Sequence, residues 1–129
     1  MNRLKDRIVT VTWGAMSIRK AAALKAASEG AKVAVRDVED DEGLKVAQEI
    51  TCNGGTGKYY HINVADEKEV KENFVKIVAE PGPIYGLVSN AGISVVNKPA
   101  RLIEEAERDG VFAVNVKGVF SAPSMLYRL

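Results

Sequence analysis

Short apolar runs alternate with longer stretches of helical periodicity along this chain, and few folds accept that alternation. Residues 7–12, 32–36, 58–62 and 84–89 each read as a strand, and the segments between them repeat their apolar residues at three- and four-residue spacing. A strand, a helix and a second strand in that order form a βα unit. Its right-handed crossover makes the strands parallel and covers the sheet with helices. The expectation is therefore an α/β sandwich, one domain over residues 1–129, of a size able to bury its own core.

Residue types at the junctions support the same division. From Ser17 a helix carrying Ile18, Ala21, Ala22 and Leu24 is predicted to end at Gly30, which suits the left-handed position after a helix. Acidic residues at Asp37, Glu39, Asp40, Asp41 and Glu42 favour a helix start, and that helix is expected to reach Ile50 with Leu44, Ala47 and Ile50 inward. Asn53-Gly54-Gly55-Thr56-Gly57 reads as a loop. Asp66 with Glu69 opens a third helix bearing Val70, Phe74, Ile77 and Val78, which Pro81-Gly82-Pro83 closes. A final helix over residues 103–127 is apolar on nearly every side between Val111 and Phe120, so burial on more than one face is expected.

Composition excludes several classes of function. The formal net charge is +1 and neither basic nor acidic residues gather in a block long enough to suggest a polyanion-binding face, so a nucleic-acid partner is not expected. No run approaches the roughly 20 apolar residues that span a bilayer, and the charged amino-terminal residues lack a signal peptide's apolar segment. A cytoplasmic location without membrane insertion follows as the expectation. The single Cys52 cannot form an internal disulfide and reads as a small apolar filler. His61, the one histidine, has no Cys, Asp or Glu at ligand spacing, so it reads as structural and no metal is assigned. Tyr59 and Tyr60 read as packing and edge residues of a strand.

After the fourth strand comes Asn90-Ala91-Gly92, where a chain leaving a parallel sheet places a ligand-facing loop. With Leu87-Val88-Ser89-Asn90-Ala91-Gly92-Ile93, Asn115-Val116-Lys117-Gly118-Val119-Phe120, Asn63-Val64-Ala65-Asp66 and Glu29-Gly30-Ala31-Lys32-Val33, the chain resembles the amino-terminal half of the short-chain dehydrogenase/reductase family. The resemblance implies a Rossmann-like three-layer sandwich with strand order 3-2-1-4 and an oxidoreductase's dinucleotide-binding cleft. It places Asn90, Ala91 and Gly92 on the floor of that cleft, Asn63 and Val64 near the adenine, and Asn115 at the helix position that supports a proton relay in complete enzymes. The acid closing the second strand is Asp37. A carboxylate there accepts hydrogen bonds from ribose hydroxyls and repels a 2′-phosphate, which implies NAD over NADP, with the neighbouring Arg36 acting against that preference.

Two departures from the family pattern alter the expectation. In the family's glycine-rich loop, the three glycine positions correspond to Trp13, Ser17 and Arg19, while Gly14 falls on a variable position. Those glycines permit a tight turn and a close approach of the main chain to the pyrophosphate. Weak or lost NAD binding is therefore expected at the Gly14, Ser17, Ile18 and Arg19 segment, the alternative being that Arg19 pairs with a phosphate at the helix start. The family's catalytic Ser, Tyr and Lys follow the strand after the last helix. Here the tyrosines are Tyr59, Tyr60, Tyr85 and Tyr127, and none has Lys four positions on. Asn115 is then vestigial, and the sequence reads as a truncated, inactive or weakly cofactor-binding domain. The alternatives are an interaction module without cofactor and an oxidoreductase completed by a partner chain. A homodimer or higher homo-oligomer through the final helix and the fourth strand is also expected, because a fourth strand without a fifth leaves unpaired backbone groups.

Overall fold

The computed structural model describes residues 2–12, 17–79, 82–90, 92–93 and 98–119, without the side chains of residues 17 and 78. The elements run β1 (Ile8–Thr12), α1 (Ser17–Ser28), β2 (Lys32–Asp37), α2 (Asp40–Cys52), β3 (Thr56–His61), α3 (Glu67–Ala79), β4 (Ile84–Val88), a 3₁₀ turn (Ala100–Leu102) and α4 (Glu105–Phe112), which continues as a π-helical segment (Ala113–Lys117). The sheet has the expected order β3-β2-β1-β4. All three pairings are parallel.

Strand alternation divides the core into two layers. Val9, Val11, Val33 and Val35 point to one face, where Ala23 of α1 and Val46 and Ile50 of α2 meet them. Ala34, Tyr60, Ile62, Ile84 and Leu87 face the other way, toward Val70, Phe74 and Ile77 of α3 and Val114 beyond α4. Ile84 and Leu87 share that second face although three positions separate them. The register shift between Ile8 and Val9 explains this, since Ile8 pairs with Ile84 and Val9 with Gly86, leaving Tyr85 as the extra residue of a bulge. Tyr85 turns outward, 61% exposed, and the Arg7 guanidinium lies 4.6 Å from its ring centre.

Junction chemistry acts as the sequence indicates. α1 ends in a Schellman motif: Gly30 has φ 89°, its N–H donates to Ala27, and the next N–H, from Ala31, reaches back to Ala26. A Cβ on Gly30 would also lie 3.0 Å from the Lys5 backbone. Asp66 caps α3 by accepting from the N–H groups of Lys68 (2.9 Å) and Glu69 (3.2 Å). Glu69 reaches back past Asp66, to the Asn63 N–H at 2.7 Å.

Several expectations are corrected. β2 extends to Asp37, and β3 covers Thr56–His61 rather than residues 58–62. Leu44 is 47% exposed; the buried stripe of α2 is Gly43, Val46, Ala47 and Ile50, because the Tyr59 ring occupies the space over Gly43. Cys52 is exposed at the end of α2 rather than filling the core. The last helix starts at Glu105, and within its described part Phe112 and Val116 stay more than half exposed while Gly118 is buried, so one face alone packs on this chain. Residues 120–127 of that expected helix lie outside the described residues. Among the described residues, no helix is long and apolar enough to cross a membrane.

Candidate nucleotide-binding edge

The segments that follow β2, β3 and β4 leave the sheet at the carboxyl ends of its parallel strands, the edge at which open α/β sheets bind ligands. Between β1 and β4 the junction is held by Thr12. Its buried hydroxyl donates to the Val88 carbonyl (3.3 Å) and accepts from the Asn90 N–H (2.9 Å), which fixes the chain as it turns out of β4. Three residues further on, Asn115 takes hold of the same loop. Its Oδ1 accepts from the Ile93 N–H and its Nδ2 donates to the Ile93 carbonyl, both at 2.8 Å.

Asn115 therefore has a positional role visible in this chain, joining the final helix to the loop beside Gly92. It sits in the π-helical segment, whose wider turn is a feature common at functional sites. Ala91, between Asn90 and Gly92, lies outside the described residues.

The β3–α3 loop approaches the same helix. Val64 is 6% exposed and packs where Gly118 passes: a Cβ on Gly118 would come 2.7 Å from Val64 Cγ2, so the crossing needs glycine. Lys117 Nζ donates to the Ala65 carbonyl at 3.4 Å. Asn63 is exposed, with its Oδ1 accepting from the Ala65 N–H at 3.0 Å, so its amide NH₂ is the group presented outward.

At the end of β2, adjacent residues point to opposite faces. Asp37 Oδ1 accepts from the N–H groups of Val38 (2.7 Å) and Glu39 (3.0 Å), which seats the carboxylate at the start of the turn into α2. Asp37 is 4% exposed. Arg36 goes the other way, into the α3 layer, where its guanidinium carbon lies 4.1 Å from the centre of the Phe74 ring. It is fully buried, and among the described residues none of its three side-chain nitrogens has a hydrogen-bond partner. Burial pushes the guanidinium down to about 9, well below its ordinary value. The cation beside Asp37 in sequence is thus on the far side of the sheet from it.

The structure brings together a group that spacing alone does not reveal. Tyr59, on β3, lays its ring against Gly43 of α2, where a Cβ would overlap ring atom Cε2. Its hydroxyl lies 2.6 Å from Asp40 Oδ1 and 2.9 Å from the Asp37 carbonyl. His61 Nδ1 is 2.7 Å from the same Asp40 oxygen. An ionised carboxylate only accepts, so Nδ1 carries the proton in this arrangement. The bonds from Tyr59 and then His61 hold the Asp40 carboxyl below the usual carboxylate range. Sequence separations of 19 and 21 residues hide this cluster from any local pattern.

In the glycine-poor loop, Trp13, Gly14, Ala15 and Met16 lie outside the described residues. Ser17 begins α1, Ile18 is 78% exposed, and Arg19 is half-buried in the first turn. Among the described residues no group of three or more His, Cys, Asp or Glu side chains is placed to hold a metal ion.

A parallel sheet ordered 3-2-1-4, with helices between its strands, defines a Rossmann-like domain. Residues 7–129 match the short chain dehydrogenase family model, and the chain belongs to that family. It is 39% identical over 120 residues to secoisolariciresinol dehydrogenase of Forsythia intermedia, covering 92% of this chain and 42% of that protein. A 3-oxoacyl-(acyl-carrier-protein) reductase of Thermotoga maritima is 36% identical over 124 residues, covering 96% of this chain and 50% of that protein. Among solved structures, the citronellol catabolism dehydrogenase of Pseudomonas aeruginosa superposes with a TM-score of 0.91 at 28% identity, covering 98% of this chain and 52% of the other. The chain spans about half the length of these relatives.

Proposed function

We propose that this chain is the nucleotide-binding part of a cytoplasmic short-chain dehydrogenase/reductase, and that its cleft takes NAD in preference to NADP and holds it weakly. The observation that carries the preference is the division of labour at the end of β2. Asp37 stays on the cofactor side, where a carboxylate accepts ribose hydroxyls and repels a 2′-phosphate. Arg36, the one neighbour that would favour the phosphate, is turned through the sheet onto Phe74. Around the nucleotide, Asn63 offers its amide to the base, Asn90 and Gly92 form the floor, and the first turn of α1, with Ile18 and Arg19, faces the pyrophosphate. Bulk at Trp13, Ser17 and Arg19 in place of glycines supports weak binding.

Calorimetric titration with NAD and with NADP tests this reading. Binding of NAD tighter than NADP, with the difference erased in Asp37→Ala, is the expected result. NADP binding as tight as NAD would remove it, and so would binding of neither nucleotide. A polypeptide of these 129 residues is expected to show no turnover of alcohols or carbonyls, because none of its tyrosines has Lys four positions on.

A second reading, self-association, is favoured by exposed apolar side chains. Tyr85 and Val88 lie on the outer strand β4, and Phe112 and Val116 on the last helix. A homodimer covering both surfaces would shield them. The bulge at Tyr85 interrupts the regular edge, which makes the helix the stronger contributor. Light scattering at micromolar concentration is expected to report a dimer or larger, and Phe112→Asp to reduce it to the monomer.

A further inference from the structure

We propose that Tyr59 is a positioning residue for Asp37: its hydroxyl closes the turn between β2 and α2 and fixes the carboxylate that faces the nucleotide's ribose. The part of this that concerns the nucleotide rests on the NAD-binding reading above.

The turn is short, from Asp37 at the end of β2 to Asp40 at the start of α2. One phenol reaches both ends, 2.9 Å from the Asp37 carbonyl and 2.6 Å from Asp40 Oδ1, and shares its single proton between the two acceptors. The same Asp37 carbonyl accepts the Ile62 N–H at 2.9 Å, so β3 holds it by main chain and by side chain. Inside the closed turn, the Val38 and Glu39 N–H groups converge on Asp37 Oδ1, and that convergence orients the carboxylate. If the turn opens, both N–H groups move away from the oxygen they share.

Three features show that the phenol is built into this place. Gly43 is the seat of the ring, since any side chain there would overlap it. Glycine inside a helix is unfavourable relative to alanine, so its presence needs a packing reason, and the ring supplies one. His61 shares the acceptor oxygen of Asp40 from the next outward position of the same strand, which holds that carboxylate over the phenol. The group also stays a donor at every ordinary pH, because burial, followed by the Asp40 hydrogen bond, pushes the phenol well above its usual range.

Tyr59→Phe keeps the ring on Gly43 and removes only the hydroxyl. Nuclear magnetic resonance of the whole chain without nucleotide reads the turn itself. Exchange of the Val38 and Glu39 amide protons is expected to quicken about fivefold to tenfold, the equivalent of one lost hydrogen bond, together with a shift of the Asp37 carboxyl carbon. Asp40→Ala should reproduce this, whereas Asp40→Asn, which keeps an acceptor oxygen, should restore the wild-type rates. Unchanged exchange in Tyr59→Phe, or Asp40→Asn behaving as Asp40→Ala, would overturn the positioning role. Calorimetry on the same proteins reads the nucleotide: NAD affinity should fall about fivefold in Tyr59→Phe with NADP affinity unchanged, and the effect should vanish in an Asp37→Ala background. An equal loss for both nucleotides, or none for NAD, would separate Tyr59 from ribose recognition. If the wild-type chain takes up neither nucleotide, the NAD-binding reading fails, and amide exchange alone decides whether Tyr59 sets the turn.

Discussion

Replacing Arg36 by Met is expected to stabilise this protein, although the change removes a charge, a ring contact and several donors. The guanidinium is fully buried and, among the described residues, has no hydrogen-bond partner. Held at about 9, well below its ordinary value, it carries on the order of 5 kcal/mol against its charged form. Its position 4.1 Å over the Phe74 ring returns about 2 kcal/mol, the value of a desolvated cation–π contact. Methionine keeps an unbranched stem over the ring and substitutes a sulfur–aromatic contact for the cation, so little packing is lost. The net expectation is a gain of roughly 3 kcal/mol, which for a chain of this size raises the melting temperature on the order of 10 °C. The sign of the pH dependence provides a second reading. Above about 9 the unfolded chain still binds the proton that folded Arg36 has released, so this residue's contribution makes stability rise with pH from there up to the ordinary guanidinium range. Arg36→Met should remove that component of the rise. Thermal melts at pH 7 and urea titrations from pH 8 to pH 11 measure both effects. A variant that melts at or below wild type at pH 7 would show that the guanidinium's contacts outweigh its desolvation, and the argument would fail.

Three further outcomes are expected. Gly43→Ala places a methyl group inside the Tyr59 ring and is expected to destabilise by about 1–3 kcal/mol despite alanine's better helix propensity, seen as a lower urea midpoint with the slope unchanged. Asp66→Ala removes acceptors for two N–H groups at the start of α3 and should cost about 1 kcal/mol in the same assay, with Asp66→Ser recovering most of it. Hydrogen bonds from Arg3 and then Lys25 hold the Glu29 carboxyl down to about 2, so its contribution is complete above the ordinary carboxylate range near 4.5 and is lost as pH falls from there to about 2. Glu29→Gln should flatten acid unfolding in that window and leave the alkaline side unchanged.

The sequence by itself determined the order of elements, the parallel sheet and where most elements begin and end. Such features are set within a few residues of themselves: Gly30 accepts a positive φ without a Cβ penalty, Asp66 satisfies N–H groups two and three positions on, and apolar spacing separates strand from helix. Family motifs also marked Asp37, Asn63 and Asn90 at the carboxyl edge, because each motif is a contiguous run leaving a strand. Only the tertiary structure decided which face each neighbour occupies. Arg36 and Asp37 are adjacent opposite charges in the sequence, which does not say where either points, yet the strand's two-residue alternation sends one into the α3 layer and leaves the other at the turn. The bulge at Tyr85 turns Ile84 and Leu87 onto one face, which strict alternation forbids. The Tyr59, His61 and Asp40 group depends on β3 lying parallel beside β2 in the register that pairs Asp37 with His61, a long-range pairing that no stretch of local sequence encodes. Leu44 stays exposed in the same arrangement, since the Tyr59 ring from β3 seats on Gly43 and the buried stripe of α2 is Gly43, Val46, Ala47 and Ile50.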